Sequence, residues 1–188
     1  MSGASLHLLR HGVTAKPGRL LGRSDAPSTA DGIATCVARA EGLGVEQIVS
    51  SDLSRSRAAG EALAGAHGVP LTIDSRWREL DFGDWDGLAS ADVDPARLAA
   101  FWNDPDAVPP PNGERWSALV TRVAAALDDL PREPVLVVTH GGAMRAALTV
   151  LCGFPVQSLW AFDLPYAALL TLRRWPEGPG AQIVGLRP

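Results

Sequence analysis

Short apolar runs alternate along the chain with longer segments whose apolar positions have helical spacing. The short runs are predicted as strands and cover residues 6–9, 45–50, 71–73, 135–139 and 167–172. Helices are predicted between them, from Thr29 or Asp31 to about Gly42 and over residues 53–67, 95–102, 114–130 and 142–151. The residues after 172 are predicted to form a polar tail. Strands that alternate with helices are typical of an α/β fold with a mostly parallel sheet.

The composition is that of one globular domain spanning residues 1–188. Hydrophobic residues make up 46% and charged residues 20% of the chain, which is ordinary for a globular protein. A net charge of −4 without any run of Lys or Arg argues against nucleic-acid binding. No apolar stretch approaches the roughly 20 residues of a membrane span, and no signal peptide is recognised, so we expect a cytoplasmic protein. The oligomeric state stays open, with a homodimer as one option.

A histidine followed by glycine ends each of two predicted buried strands. Arg-His-Gly at residues 10–12 follows the run 6–9, and His140 follows the run 135–139. The carboxyl ends of parallel strands share one edge of the sheet, where open α/β folds bind ligands. Arg55, in the first turn of the helix after the second strand, is expected at the same edge.

The residue types at this edge suit a phosphoryl group. Guanidinium groups offer planar pairs of donors that match phosphate oxygens, and helix N-termini add N–H groups and a positive dipole end. A neutral imidazole such as that of His11 can attack phosphorus and hold the group covalently. The departing oxygen then needs an acid, for which Glu79, in the irregular segment 76–88, is the candidate.

Five segments in order resemble the histidine phosphatase superfamily, which has the phosphoglycerate-mutase-like fold. They lie at residues 9–14 (Leu-Arg-His-Gly-Val-Thr), 22–27, 50–55, 78–87 and 139–142. A single Arg-His-Gly would be a weak signal, whereas five segments in the family's order are a strong one. The resemblance implies a three-layer αβα sandwich with a mostly parallel central sheet.

The resemblance also implies a role for each matching residue. His11 would become phosphorylated, and Glu79 would protonate the leaving oxygen and then take a proton from the attacking water. The phosphoryl oxygens would be bound by Arg10, Arg55 and His140. Substrate contacts would fall on Thr14, Arg23, Gly141 and Glu114. No metal and no cofactor are expected.

Within the superfamily, residues 101–105 and 109–114 resemble the α-ribazole phosphatase branch, which serves cobalamin biosynthesis. The implied function is a phosphomonoesterase acting on a small-molecule phosphate ester, α-ribazole 5′-phosphate. A cofactor-dependent phosphoglycerate mutase, a broad-specificity phosphatase and an inactive phosphate-binding protein remain alternatives. One departure is Pro17, which stands where the family often has Asn. The roles of four residues stay open: Arg57, Arg145, Trp102 and Trp116.

Overall fold

A computed structural model of the chain describes residues 4–175, 177–178 and 180–188. The strands are β1 (Ser5–Arg10), β2 (Gln47–Ser50), β3 (Leu71–Ile73), β4 (Val135–Thr139), β5 (Leu169–Arg174) and β6 (Ala181–Arg187). The helices are α1 (Ala30–Arg39), α2 (Ser54–His67), α3 (Pro95–Asn103), α4 (Trp116–Asp128) and α5 (Gly141–Cys152). Short 3-10 turns occur at Ser75–Trp77, Gly83–Trp85, Ser90–Asp92 and Val156–Ala161.

All six strands form one sheet in the order β3-β2-β4-β1-β5-β6. The pairs β3–β2, β2–β4 and β4–β1 are parallel, while β5 runs antiparallel to β1 and β6 antiparallel to β5. The prediction of an α/β fold with a mostly parallel sheet is therefore confirmed. The register aligns Arg10 with Thr139, so the two histidines that follow them leave the sheet at the same level.

The central strands are buried on both faces because helices cover each side of the sheet. Leu8 and Val137 belong to one apolar cluster with residues of α4 and α5. Leu9 and Val138 belong to a second cluster with residues of α1 and α2. This alternation follows the two-residue period of a strand and produces the expected three-layer αβα arrangement.

The predicted polar tail is wrong, because residues 181–187 form the edge strand β6. Ile183 and Leu186 pack against the core from this strand, while Gln182 and Val184 face outward. The pairing with β5 contains an irregularity between Thr171 and Leu172. An edge strand with one exposed face and a register shift has a weaker apolar pattern than the central strands, which explains the error.

Candidate active site

The His11 side chain lies at the carboxyl end of β1 and is only 5% exposed. Its Nδ1 lies 2.8 Å from the carbonyl oxygen of Gly12. A carbonyl oxygen only accepts, so Nδ1 carries the proton and Nε2 keeps its lone pair. Burial, and then the charges of Arg55 and Arg10, lower the pKa of His11 to about 3. His11 is therefore a neutral imidazole with one nucleophilic nitrogen across the whole physiological range of pH.

Behind His11, the His140 ring is fully buried, with its centroid 5.1 Å from that of His11. Its Nδ1 accepts a hydrogen bond from Arg55 Nε at 3.2 Å, so the proton resides on Nε2. Nε2 lies 3.0 Å from the hydroxyl oxygen of Ser51 and 3.2 Å from that of Ser56. Burial, followed by Arg55 and other nearby charges, lowers the pKa of His140 well below its usual value. His140 is thus neutral as well.

The fully buried Arg55 guanidinium joins the sheet edge to the loop that follows β1. Besides its bond to His140, Nη1 donates to the carbonyl of Ser24 at 2.8 Å. Nη2 donates to the carbonyls of Leu21 and Gly22, both at 2.8 Å. These bonds use four of the five guanidinium hydrogens and leave one on Nη1. The Arg55 side chain therefore fixes the loop after β1 against His140, in addition to supplying a positive charge.

The Glu79 carboxyl group lies against the start of α5 and comes from the segment that connects β3 to α3. One carboxyl oxygen accepts from the backbone N–H of Leu80 at 2.8 Å, and the other accepts from Gly142 N–H at 3.1 Å. A Cβ at Gly142 would lie 2.1 Å from Glu79 Oε1, so a larger residue here would force the carboxyl group out of this position. Arg122 holds the same segment from α4 by donating to the Glu79 carbonyl at 2.8 Å.

A cavity of about 250 Å³ opens in front of these groups. Its polar lining comes from Arg10, His11, Arg19, Glu79 and Arg145, together with the glycines at the start of α5. Aromatic rings form much of the remaining wall, from Phe82, Phe101, Trp102, Trp116, Trp160 and Tyr166. The arrangement places a nucleophile, cations and a carboxyl group in the wall of one pocket large enough for a small organic ester.

The residues predicted from the sequence divide into three groups. Arg10, His11, Glu79 and Gly141 line the cavity. His140 and Arg55 lie directly behind His11 and contact each other. The cavity lining does not include the other three predicted contact residues, Thr14, Arg23 and Glu114.

Those three residues make contacts within the protein. Thr14 is buried, and its hydroxyl accepts from the N–H of Lys16. The Arg23 side chain is 70% exposed and pairs with Asp81 at 2.7 Å. Glu114 pairs with the Arg122 guanidinium at 2.8 Å and accepts from the N–H of Asp81. Their predicted substrate contacts therefore have no counterpart in the cavity wall of this structure.

Of the four residues with open roles, three reach the cavity. Trp102, Trp116 and Arg145 line it, whereas Arg57 forms an exposed ion pair with Glu61 on α2. The sequence reasoning missed Arg19, Trp160 and Tyr166, which also line the cavity. No strand-end or helix-start pattern marks these positions, so the only signal was an aromatic or basic residue in a loop.

Within residues 4–175, 177–178 and 180–188, no three His, Cys, Asp or Glu side chains are grouped so that they could hold a metal ion. None of the described helices has the length and apolarity needed to cross a bilayer.

The sequence profile of the histidine phosphatase superfamily (branch 1) matches residues 6–186. The chain belongs to this superfamily. Its members among the curated relatives are phosphatases or mutases, so the protein is a histidine phosphatase superfamily enzyme that acts on phosphate esters.

Several curated sequences and solved structures are similar to this chain. A glucosyl-3-phosphoglycerate phosphatase of Mycolicibacterium vanbaalenii is 35% identical over 171 residues, which cover 81% of this chain and 76% of the relative. A candidate phosphoglycerate mutase GpmB of Salmonella arizonae is 35% identical over 170 residues, covering 83% of this chain and 77% of the relative. The structure of a mycobacterial glucosyl-3-phosphoglycerate phosphatase with VO3 aligns with a TM-score of 0.84 at 30% identity, over 97% of this chain and 98% of that one.

A structure from Escherichia coli described as a candidate alpha-ribazole-5′-P phosphatase is more distant in sequence. It aligns with a TM-score of 0.82 over 99% of this chain and 97% of that one, but at 24% identity. This likeness supports the shared fold and carries no information about the substrate.

Proposed function

We propose that the protein is a phosphomonoesterase that works through a phosphohistidine on His11. The observation that supports this most is the state of His11, which is buried, neutral and hydrogen-bonded through Nδ1 to Gly12. Its Nε2 lone pair is thereby available to attack phosphorus. The guanidinium of Arg10 lies beside it in the cavity lining and supplies positive charge for the phosphoryl oxygens.

The reaction has two displacements at phosphorus. In the first, His11 Nε2 forms a bond to phosphorus, the bond from phosphorus to the ester oxygen breaks, and the Glu79 carboxyl group gives its proton to the leaving oxygen. In the second, a water molecule gives a proton to the Glu79 carboxylate while its oxygen attacks phosphorus. The bond between nitrogen and phosphorus then breaks, which releases inorganic phosphate and restores neutral His11.

The aromatic wall of the cavity favours a leaving group with a flat ring system. Trp102 and Trp160 contact each other edge to face at 5.0 Å, and Phe101 continues the wall beside them. Aromatic side chains gain most from contact with other planar, apolar groups. α-Ribazole 5′-phosphate, which carries a benzimidazole, therefore stays our first candidate substrate, with a role in cobalamin biosynthesis in the cytoplasm.

A carboxylate-bearing phosphate ester is the second candidate, because two further cations line the same cavity. Arg19 and Arg145 are in the wall in addition to Arg10, which is more positive charge than one phosphoryl group requires. The similarity to a glucosyl-3-phosphoglycerate phosphatase and to a candidate phosphoglycerate mutase points the same way. A mutase would return the phosphoryl group to the sugar acid instead of to water.

A substrate panel tests these proposals together. Phosphate release would be measured from α-ribazole 5′-phosphate, glucosyl-3-phosphoglycerate, 3-phosphoglycerate and p-nitrophenyl phosphate, for wild type and His11→Asn, with EDTA present. We expect release that depends on His11 and is fastest from the ribazole ester. Faster release from either glycerate ester would favour the second candidate, and isomerisation of 3-phosphoglycerate without phosphate release would indicate a mutase. Release that persists in His11→Asn would contradict the phosphohistidine route.

A further inference from the structure

The Tyr166 side chain covers the two residues that would meet the phosphoryl group. The Arg10 guanidinium carbon lies 4.5 Å from the centre of the Tyr166 ring. The His11 ring lies 5.5 Å from the same ring at an angle of 52°. Tyr166 also lines the cavity, so its position beside Arg10 and His11 is part of the site wall.

The backbone around Tyr166 is tied to the end of β1. Ala167, the next residue, has a φ of 60°, which residues with a Cβ rarely adopt. Its N–H donates to the carbonyl of His11 at 3.2 Å, and the carbonyl of Ala168 accepts from the N–H of Arg10 at 2.9 Å. This unusual turn fixes the place from which the Tyr166 ring extends. Backbone strain of this kind tends to occur where the surrounding structure needs a particular side-chain placement.

Arg10 has few other contacts that would hold its guanidinium in place. Nη1 donates to the carbonyl of Leu164 at 2.7 Å. Nε is buried and has no hydrogen-bond partner in the described part of the chain. Arg145 adds a like charge nearby, since a Cβ at Gly141 would lie 3.2 Å from Arg145 Nη1 and 3.7 Å from Arg10 Cζ. The electron-rich face of an aromatic ring attracts a guanidinium and offsets such repulsion.

We propose that Tyr166 is a positioning residue, whose ring face holds the Arg10 guanidinium where it meets the phosphoryl oxygens. This inference rests on the proposed function, because it assigns Arg10 to phosphoryl binding. The contact belongs to the ring face, so the phenol hydroxyl is not required. We also expect the two residues to be energetically coupled, so that the effect of changing Tyr166 on phosphate binding depends on Arg10.

Two variants separate the ring from the hydroxyl. Tyr166→Ala removes the ring, and we expect it to weaken binding of inorganic phosphate by roughly 3- to 30-fold, with a similar fall in kcat/KM. Tyr166→Phe keeps the ring and is expected to stay within about twofold of wild type in both measurements. Isothermal titration with inorganic phosphate measures binding without turnover. If Tyr166→Phe loses as much binding as Tyr166→Ala, the hydroxyl carries the effect and the inference is wrong.

A double-mutant cycle distinguishes positioning from a general loss of structure. Arg10→Met removes the cation that the Tyr166 ring would hold, so adding Tyr166→Ala to that background should change phosphate binding by less than about twofold. Equal losses in both backgrounds, or an equal loss of thermal stability in place of binding, would overturn the inference. Phosphate binding also keeps the two proposals apart. If wild type binds phosphate with this pattern but forms no phosphohistidine, the proposed function fails and the Tyr166 inference stands.

Discussion

Acidification is expected to destabilise the folded protein through its buried histidines. Burial, followed by Arg55 and Arg10, lowers the pKa of His11 to about 3, and burial and neighbouring charges lower the pKa of His140 well below its usual value. In the unfolded chain both imidazoles titrate near about pH 6.5. Below that pH the unfolded chain takes up protons that the folded protein cannot hold. The contribution of these two histidines to the free energy of unfolding is therefore fully present above about pH 6.5. It is lost as the pH falls below that value.

The size of the loss follows from these pKa values. At about pH 5, protonation of the unfolded His11 imidazole favours unfolding by about 2 kcal/mol, because the folded pKa of about 3 keeps this ring neutral in the native protein. This loss from His11 is a large share of the roughly 5–15 kcal/mol that stabilises a typical domain, and the lowered pKa of the buried His140 acts in the same direction. His7, whose pKa is lowered by burial and by Arg187, acts in the same direction. The lowered carboxyl pKa values of Asp52 and Asp74 affect stability only below about pH 4.

Urea unfolding at about pH 7.5 and about pH 5 measures this loss, in buffer without phosphate so that no anion lies beside His11. Wild type should lose more than about 2 kcal/mol between the two conditions, and His11→Asn should lose about 2 kcal/mol less than wild type. His67→Asn, at the C-terminal end of α2, is the matched control for removing an imidazole outside the site. Comparing each variant with itself at the two pH values cancels any effect of the substitution at neutral pH. If His11→Asn loses as much stability as wild type, the buried neutral state of His11 is wrong.

Three substitutions test other parts of the site. Gly142→Ala would place a Cβ 2.1 Å from Glu79 Oε1 and should lower kcat for alkyl phosphates by roughly 10- to 100-fold. The loss should be smaller for p-nitrophenyl phosphate, because its leaving group needs little protonation. Gly65→Ala, with nothing within 4 Å of its Cβ, is the control and should keep full activity. Arg55→Lys should lower the free energy of unfolding in urea by about 2–4 kcal/mol, because an ammonium group cannot reach three carbonyls and an imidazole together. Glu114→Gln should lower stability by about 1–2 kcal/mol and leave KM within about twofold; a large rise in KM would show that Glu114 contacts substrate after all.

The sequence predicts the fold well where an element is fully buried, because its run of apolar residues is then typical of a central strand. Residues 6–9 and 135–139 are mostly apolar because helices cover both faces of β1 and β4. Each run ends at a histidine followed by glycine, so strand ends and candidate chemistry coincide. The parallel register then brings His11 and His140 within ring contact. Two distant segments could therefore be assigned to one site from the sequence alone.

The cavity wall could not be predicted in the same way. Tyr166 and Trp160 lie in a loop and a short 3-10 turn, where no period links side-chain direction to position. Glu114 shows the opposite case: an acid before a helix suits a substrate contact or an ion pair equally well on sequence grounds. Its pairing with Arg122 depends on the tertiary placement of α4 against the Glu79 segment. Side chains whose partners come from distant loops need the structure itself.

The central claim is that His11 carries the phosphoryl group during turnover. Rapid acid-free quenching with a radiolabelled phosphate ester, followed by peptide mapping, tests it most directly. We expect a single-turnover label on the peptide that contains His11, stable to base and labile to acid, and its absence in His11→Asn. A wild-type enzyme that turns over without a labelled peptide, or a label that persists in His11→Asn, would contradict the account.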